Sequence, residues 1–179
     1  MEKLLLHCCC GPCSTSSIER LKEMGYSVVL FFGNSNIFPP PEREKRLAAL
    51  RQVGSHFDLE VITTPYNHER WLRVVKGHEG AKEGGSRCQI CFEYNLKEAA
   101  EEAQKRGIPY FTTTLTVSPH KRSPLIFKVG ENFEEFVPVD FKKKGGFQRS
   151  IELAKHLELY RQDYCGCEFS KLEREAKGP

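Results

Sequence analysis

Short apolar segments alternate with longer helical segments along the chain, and this alternation limits the available folds more than any other feature. Lys3 to His7 and Ser27 to Phe32 are too short for helices and rich in apolar or β-branched side chains, which predicts buried strands. Ser14 to Met24 places apolar residues between charged ones and stops at Gly25, which predicts a helix. Strands separated by helices favour a parallel sheet that is covered by helices on both faces.

The same alternation continues through the rest of the chain. Further strands are predicted at Leu59 to Thr63, Pro109 to Thr113 and Phe136 to Asp140. Further helices are predicted at Pro41 to about Phe57, His68 to Lys76, Gln89 to about Arg106, and about Gln148 to Glu158. The glycine-rich, charged segment from Gly77 to Gly85 is predicted to be a mobile surface loop. No repeat or linker interrupts the pattern, so residues 1–179 are predicted to form a single α/β domain.

Composition excludes membrane-spanning and exported classes of protein. The longest apolar run, which begins at Leu4, is far shorter than the roughly 20 residues that span a bilayer. No apolar region with a small-residue cleavage site follows the first residues, so a signal peptide is not expected. These features predict a cytoplasmic protein without a membrane partner. A net charge of +3 permits a nucleic-acid partner without requiring one.

The eight cysteines occur in three clusters, at predicted turns and helix starts. The clusters are Cys8-Cys9-Cys10-Gly-Pro-Cys13, Arg87-Cys88-Gln-Ile-Cys91 and Tyr164-Cys165-Gly-Cys167. In a reducing compartment, closely spaced cysteines are more often metal ligands or redox groups than structural disulfides. Helix N-termini, predicted near Cys13 and Cys88, favour thiolates. Since adjacent residues point in different directions, Cys9 and Cys10 are expected to serve two neighbouring metal centres.

Several uses of these thiols compete. A zinc site would use four of them and leave three or four cysteines unexplained. A thioredoxin-like pair is less favoured, because Cys8 and Cys9 directly precede the Cys-Gly-Pro-Cys segment. Structural disulfides are the least favoured use, although a disulfide bond is retained among the expected features. Iron–sulfur ligation fits best, because seven or eight soft ligands can hold a cluster and a second metal.

Polar residues follow three of the predicted strands. The cysteine cluster follows the first strand, Asn34 to Asn36 follow the second, and Thr112 to Thr114 follow the fourth. Parallel α/β folds bind ligands beyond the carboxyl ends of their strands. The residues capable of chemistry are therefore predicted to collect at one edge of the sheet.

Five sequence blocks together resemble the epoxyqueuosine reductase QueH family, from Leu4 to Ser170. The blocks are Leu5-Leu-His-Cys-Cys-Cys-Gly-Pro-Cys-Ser14, Asn34-Ser-Asn-Ile37, Arg87-Cys-Gln-Ile-Cys91, Thr113-Thr-Leu-Thr-Val-Ser-Pro119 with Lys121, and Tyr160-Arg-Gln-Asp-Tyr-Cys-Gly-Cys-Glu-Phe-Ser170. The resemblance implies a Rossmann-like fold of the adenine-nucleotide alpha-hydrolase type. It also implies an oxidoreductase that converts epoxyqueuosine to queuosine in tRNA, the final step of queuosine biosynthesis.

The resemblance implies a 4Fe-4S cluster beside a mononuclear iron. The family's cysteine motifs fall on seven residues, which are Cys9, Cys10, Cys13, Cys88, Cys91, Cys165 and Cys167. Four thiolates are expected at the cluster and three at the lone iron, without a fixed partition. Cys8 is expected to be a spare buried thiol. No Ser-Gly-Gly-x-Asp-Ser loop follows the first strand, so nucleotide binding is not expected.

Conversion of an epoxide to an alkene takes two electrons and two protons. Asp163 and Tyr164, beside Cys165, are the predicted catalytic proton donors, and a ferredoxin- or flavodoxin-like protein is the expected electron donor. Residues expected to bind the substrate, by position and resemblance, are Asn34, Asn36, Thr113, Thr114, Lys121 and Arg161. Candidate phosphate contacts of the tRNA are Lys142 to Lys144, Lys82, Arg87 and Arg149.

Two other functions remain open at the level of sequence. The first is a zinc-stabilised RNA-binding module without redox activity. The second is a sulfur-transfer enzyme that acts on tRNA with a cluster and ATP, against which the missing phosphate loop weighs. The two are distinguished from a reductase by metal content and by ATP binding.

Overall fold

The computed structural model describes residues 1–178, and the last residue of the predicted 1–179 domain lies outside them. Four strands form one parallel sheet in the order β3-β2-β1-β4, which confirms the predicted α/β class. The strands are β1 Glu2–His7, β2 Tyr26–Phe32, β3 Val61–Thr63 and β4 Tyr110–Thr113. The helices are α1 Gly11–Glu23, α2 Pro40–Phe57, α3 His68–Val75, α4 Ser86–Lys105, α5 Ser123–Gly130, α6 Gly146–His156 and α7 Glu168–Ala176, with a 3-10 helix at Thr114–Val117.

Helices cover both faces of the sheet, as predicted. Leu4 and Leu6 of β1 point to one face, where they share a core with apolar residues of α1, α2 and α6. Leu5 points to the opposite face, where Leu96 of α4 and Val129 of α5 complete a second core. Because both of its faces are buried, the central strand carries a continuous apolar run rather than an alternating pattern.

The connections diverge on the two sides of β1. The chain passes through α1 to β2 on one side of β1, and it later passes through α4 to β4 on the other side. His7 and Thr113, the last residues of β1 and β4, lie opposite each other in the register. A crevice opens where such connections diverge, and this is the usual ligand site of an open parallel sheet. Cys8 to Cys10 begin at this point.

The strand predicted at Phe136 to Asp140 is wrong. The segment forms one isolated bridge, between Phe111 and Phe136. Pro138 has no N–H to donate to a ladder. The Thr112 and Thr116 hydroxyls also donate to the backbone carbonyls of residues 137 and 139, at 2.7 Å and 2.8 Å, so these oxygens bond to side chains instead of a strand. Helices α5 and α7 and the 3-10 helix were not predicted.

The predicted disulfide bond is also wrong, because all eight cysteines are free thiols. The sulfur atoms of Cys9 and Cys10 lie 3.9 Å apart, whereas a disulfide requires about 2.05 Å. The segment between α3 and α4, predicted as a surface loop, forms turns that hydrogen-bond to α7 through Glu83 N and the Glu173 carboxylate at 3.0 Å. Over residues 1–178, no helix combines the length and the apolar character that crossing a bilayer demands.

Candidate metal centre

Three thiols gather at the turn between β1 and α1. The sulfur atoms of Cys9, Cys10 and Cys13, here called the thiol triad, all lie within 4.8 Å of one another. The chain bends at Cys9, directly after β1, and Cys10 is the N-cap of α1, so the alternation of the strand does not continue into the triad. Three soft ligands at this spacing suit a single metal ion. The sulfur atoms of Cys9 and Cys10 thus lie together, contrary to the expected divergence, and their division between metal centres stays a prediction.

The triad is prepared for a cation by its own hydrogen bonds. The pKa of Cys9 is well below its ordinary value, because the Cys10 and Cys13 thiols hydrogen-bond to its sulfur and outweigh burial. The charge of Lys121 and a hydrogen bond from Thr114 act in the same direction. Thr114 Oγ1 donates to Cys9 Sγ at 3.4 Å and accepts from Cys9 N at 3.2 Å. One thiolate is thus stabilised by two neighbouring thiols before any metal binds.

A buried histidine ties the ends of three strands together beneath the triad. His7 Nε2 lies 3.0 Å from Asn34 Oδ1, and His7 Nδ1 lies 2.9 Å from Thr113 Oγ1. Asn34 Nδ2 donates to the Cys8 carbonyl at 2.8 Å, so its Oδ1 faces His7 and Nε2 carries the hydrogen. Burial lowers the pKa of His7, in agreement with a neutral ring. Cys8 itself is buried and donates to the Leu6 carbonyl, as expected of a spare thiol.

Three of the predicted substrate-binding residues have their polar groups engaged inside the fold. Asn34 and Thr113 are buried and hydrogen-bonded to His7. Asn36 is buried, and its Oδ1 accepts from Asn95 Nδ2 at 3.2 Å. Their direct contact with a substrate stays a prediction.

The other four motif cysteines form a second group, here called the thiol quartet. Cys88 and Cys91 lie in the first turns of α4, whereas Cys165 and Cys167 lie in the segment that leads into α7. Burial raises the pKa of Cys88, Cys91 and Cys167, and the charge of Cys165 raises each of them further. This mutual influence indicates that thiols of two remote segments lie near one another, although only the triad has its sulfur atoms within 4.8 Å of one another among residues 1–178. The four thiols are a candidate donor set for a metal cluster.

A buried arginine that the sequence did not single out holds the Cys165–Cys167 segment. Arg46 of α2 donates from Nη1 to the Cys165 carbonyl at 2.8 Å and from Nη2 to the Tyr164 carbonyl at 3.1 Å. Its Nε donates to Glu42 Oε1 at 2.8 Å, and only 1% of its side chain is exposed. Gly166 has a φ of +146°, and a Cβ there would lie 3.1 Å from Arg46 Nη1. Arg46 therefore positions the quartet from outside it.

A second buried arginine joins α4 to α7. Arg87 donates to the carbonyls of Glu79 and Ala81, pairs with Glu173 at 3.4 Å and stacks on the Phe169 ring at 4.9 Å. Since it is 1% exposed, its predicted contact with phosphate is wrong. Among the predicted lysines, Lys142 donates to Ser123 Oγ at 3.0 Å, while Lys143 and Lys144 are exposed. Arg149 forms an ion pair with Glu19 at 2.9 Å.

Both thiol groups border one cavity of about 690 Å³. Cys9 and Cys13 line it from the triad, and Cys165 lines it from the quartet. Five residues predicted from the sequence to be catalytic or substrate-binding meet in its wall, and these are Thr114, Lys121, Arg161, Asp163 and Tyr164. Gln162 was not singled out and also lines the cavity. The arrangement can hold a small ring system next to sulfur-bound metals.

Lys121 and Tyr164 differ in what they present to the cavity. Burial alone would lower the pKa of Lys121, but the nearby sulfurs of Cys165 and Cys9 raise it above its ordinary value, so the ammonium stays charged. The Tyr164 hydroxyl donates to the Phe38 carbonyl at 2.5 Å, and burial raises its pKa to about 12. Asp163 between them in the wall is exposed. Lys121 is thus a fixed positive charge between the two thiol groups.

Known proteins resemble this chain over nearly its full length. A family model described as epoxyqueuosine reductase QueH matches residues 4–173. The Thermotoga maritima protein named epoxyqueuosine reductase QueH is 40% identical, over 99% of this chain and 94% of its own length. The Streptococcus pyogenes serotype M1 protein of the same name is 37% identical, over 93% of this chain and 69% of its own.

A solved structure shares the fold. The U34-tRNA thiolase NcsA from Methanococcus maripaludis, determined with its 4Fe-4S cluster, superposes with a TM-score of 0.59 at 14% identity. The match covers 98% of this chain and 63% of the NcsA chain, so this chain spans less than two thirds of that protein. The likeness confirms the predicted Rossmann-like α/β architecture.

Proposed function

This chain belongs to the epoxyqueuosine reductase QueH family, a family of oxidoreductases, and from this premise we propose that it reduces epoxyqueuosine to queuosine in tRNA. The observation that carries the proposal is the single cavity bordered by both thiol groups. The reaction takes up two electrons and two protons and releases the epoxide oxygen as water. A site for such a reaction needs redox groups within reach of a substrate pocket.

We assign the 4Fe-4S cluster to the quartet and the mononuclear iron to the triad. The quartet offers the four soft ligands that such clusters use, and the triad offers three sulfurs within 4.8 Å. The cluster found in NcsA, which shares the fold, supports iron–sulfur chemistry on this architecture. When bound, the two centres would supply single electrons and a Lewis acid next to the cavity.

The cavity walls support binding of a single nucleotide base. A volume of about 690 Å³ is in the range of small-molecule sites, and enzymes that modify a base commonly take it out of its stack into such a pocket. Thr114 and Lys121 would orient the base and its oxygen atoms from one wall, and Arg161 would do so from another. Asn34, Asn36 and Thr113 would act behind this wall by holding the strand ends and the Cys91 turn in place.

Protons would come from residues of the cavity wall. Lys121 carries a proton beside the thiol groups and can deliver it to the substrate, and Asp163, exposed in the wall, can relay a second proton from solvent water. We place Tyr164 next to them as a residue that fixes the Cys165 segment, because its hydroxyl donates to the Phe38 carbonyl. Of the two predicted catalytic residues, Asp163 would thus handle a proton at this wall and Tyr164 would hold the wall in place.

The tRNA would approach over the basic rim of the cavity. Arg161, Arg174 and Lys177 line the cavity with exposed side chains, and Lys143 and Lys144 are also exposed. Such side chains bind phosphates, while a splayed anticodon base enters the pocket. A ferredoxin- or flavodoxin-like protein would deliver electrons in the cytoplasm, where tRNA is modified.

The proposal is tested with anaerobically purified, iron- and sulfide-loaded protein and tRNA that carries epoxyqueuosine. We expect conversion to queuosine with a chemical reductant, measured by mass spectrometry of digested nucleosides. The matched pair is Cys9→Ala and Cys8→Ala: Cys9 belongs to the triad, whereas Cys8 donates to a backbone carbonyl in the core. Loss of conversion in the first variant alone supports the proposal. A colourless wild-type protein that holds only zinc and leaves the tRNA unchanged contradicts it and favours an RNA-binding module.

A further inference from the structure

Hydrogen-bond donors point at the sulfur atoms of the quartet. Gly84 N donates to Cys88 Sγ at 3.2 Å, and Ser170 N donates to Cys167 Sγ at 3.4 Å. These two donors belong to the backbone. Cys91 differs, because its donor is a side chain: Asn95 Nδ2 lies 3.5 Å from Cys91 Sγ. Side-chain donors can be removed one at a time, which makes Cys91 the ligand to study.

A second side chain can donate a hydrogen bond to the same sulfur. Trp71, the one tryptophan of the sequence, is fully buried, and its Nε1 meets no hydrogen-bond partner in the part of the chain that the structure describes. A buried donor without a partner destabilises the fold. Cys91 packs against the buried cluster that contains Trp71, so its sulfur lies beside the indole. A thiolate at Cys91, the form in which cysteine binds metal, would give the indole N–H an acceptor.

Both donors are held rigidly in place. The Trp71 ring stacks on His68 at 5.4 Å and packs against Phe169 of α7 at 6.2 Å. One Nδ2 hydrogen of Asn95 is shared between the Cys91 sulfur and the Cys91 carbonyl, the latter at 3.0 Å, and the other is donated to Asn36 Oδ1 at 3.2 Å. Groups fixed in this way do not reorient when the charge on a nearby sulfur changes, so their effect on that charge is permanent.

We propose that Trp71 and Asn95 are positioning residues that set the reduction potential of the metal centre in the quartet by donating hydrogen bonds to the Cys91 sulfur. The inference rests on the proposed cluster at that place. Donors to a ligand sulfur stabilise negative charge and so favour the reduced form of a cluster. Neither residue is among the described residues that line the cavity, so their removal leaves the substrate wall unchanged.

The first test is Trp71→Phe, which keeps an aromatic ring and removes the N–H. In cluster-loaded protein without tRNA, followed by EPR during a redox titration, we expect a more negative potential. At a fixed solution potential the ratio of reduced to oxidised cluster should fall about tenfold, or about 59 mV for one electron. Tyr94→Phe is the matched control, because Tyr94 packs in the same apolar cluster and its hydroxyl donates to Glu98, not to a thiol. An unchanged potential in Trp71→Phe overturns the inference.

Two further measurements guard against a variant that fails to fold. Asn95→Leu removes the other donor at similar volume and should also lower the potential. In the unaltered protein, tryptophan labelled with ¹⁵N in the indole should show a nitrogen coupling to the reduced cluster in pulsed EPR, and the single tryptophan makes the assignment unique. A cluster-loaded protein without that coupling overturns this inference alone. A wild-type protein that binds no iron–sulfur cluster overturns the proposed function and this inference with it.

Discussion

The triad and the quartet contain the same kind of ligand but are built in different ways. The triad lies within a single turn, and its shape follows from the bend at Cys9 and from the buried strand ends below it. The quartet joins the start of α4 to the segment before α7; Arg46 of α2 holds that segment, and Arg87 joins α4 to α7. One metal site is therefore local in the sequence, and the other depends on tertiary structure.

The two groups also differ in charge before metal binds. Hydrogen bonds within the triad lower the pKa of Cys9 and raise that of Cys13, and the pKa of Cys10 is raised as well, whereas burial raises the pKa of Cys88, Cys91 and Cys167 in the quartet. Both groups must therefore release protons as they take up metal, but the triad already presents one thiolate, at Cys9.

The largest expected effect comes from removing one ligand of each group. Cys10→Ala should lose the lone iron and keep its sulfide, whereas Cys167→Ala should lose sulfide and most iron. Either change should lower activity by more than the roughly 10- to 100-fold typical of residues behind a metal ligand. Iron and sulfide analysis of the purified variants checks the partition. Cys9→Ala should match Cys10→Ala, and equal sulfide loss in Cys10→Ala and Cys167→Ala would contradict two separate sites.

Removing the Arg46 side chain, which holds the Cys165 segment of the quartet in place, should have the next largest effect. Arg46→Ala leaves the buried Glu42 carboxylate without its partner, which should lower the free energy of unfolding by about 3–5 kcal/mol. Sulfide should be lost with the Cys165 segment, while the triad keeps its iron. Urea unfolding and metal analysis measure the two outcomes. Arg149→Ala is the control, because its ion pair with Glu19 is solvent-exposed and its loss should change neither quantity.

Removing the His7 side chain, which lies beneath the triad, should have a smaller effect, and it should affect the iron of the triad instead of the cluster of the quartet. His7→Leu leaves the Thr113 hydroxyl and the Asn34 carbonyl oxygen without their partner, which should cost about 1–3 kcal/mol. The variant should lose the lone iron and retain sulfide. His56→Leu, at an exposed position, serves as the control. Loss of sulfide in His7→Leu, with iron retained, would show that the two sites do not depend on separate supports.

The smallest expected effect concerns a carboxyl group on α4, behind the quartet. Burial raises the pKa of Glu98 above 4.5, so the folded state binds this proton more tightly than the unfolded state. Its stabilising effect is complete below pH 4.5 and is lost as the pH rises through the folded pKa. Glu98→Gln should therefore increase the free energy of unfolding at pH 7 by no more than about 1 kcal/mol and flatten its pH dependence. Urea unfolding at several pH values measures both; a less stable variant at pH 7 would contradict the direction.

The sequence correctly predicts those strands and helices that are determined by residues close together in the chain. The apolar runs at β1 and β2 and the turn residues around them were sufficient to predict the sheet. The segment at Phe136 to Asp140 has a strand-like composition, but the hydroxyl of Thr112 bonds to one of its carbonyls, and that contact depends on the folded chain. Helix α7 was missed because its short amphipathic pattern follows directly on a cysteine motif.

Prediction of the site from the sequence is limited in the same way, because tertiary contacts determine part of it. The seven ligand candidates could be read from spacing and resemblance, but their grouping could not, because the bend at Cys9 and the contact of Arg46 with the Cys165 carbonyl exist only in the fold. Trp71 gave no signal at all, since a tryptophan in an amphipathic helix is ordinarily a core residue. Only the unpaired Nε1 in the folded chain distinguishes it.

The central claim is that two thiol groups hold an iron–sulfur cluster and a separate iron beside one cavity. The most direct test is the iron, sulfide and zinc content of the anaerobically purified wild-type protein, with its visible spectrum. A brown protein with more iron than sulfide is the predicted result. A colourless protein that contains zinc only, even after anaerobic reconstitution with iron and sulfide, would contradict the claim.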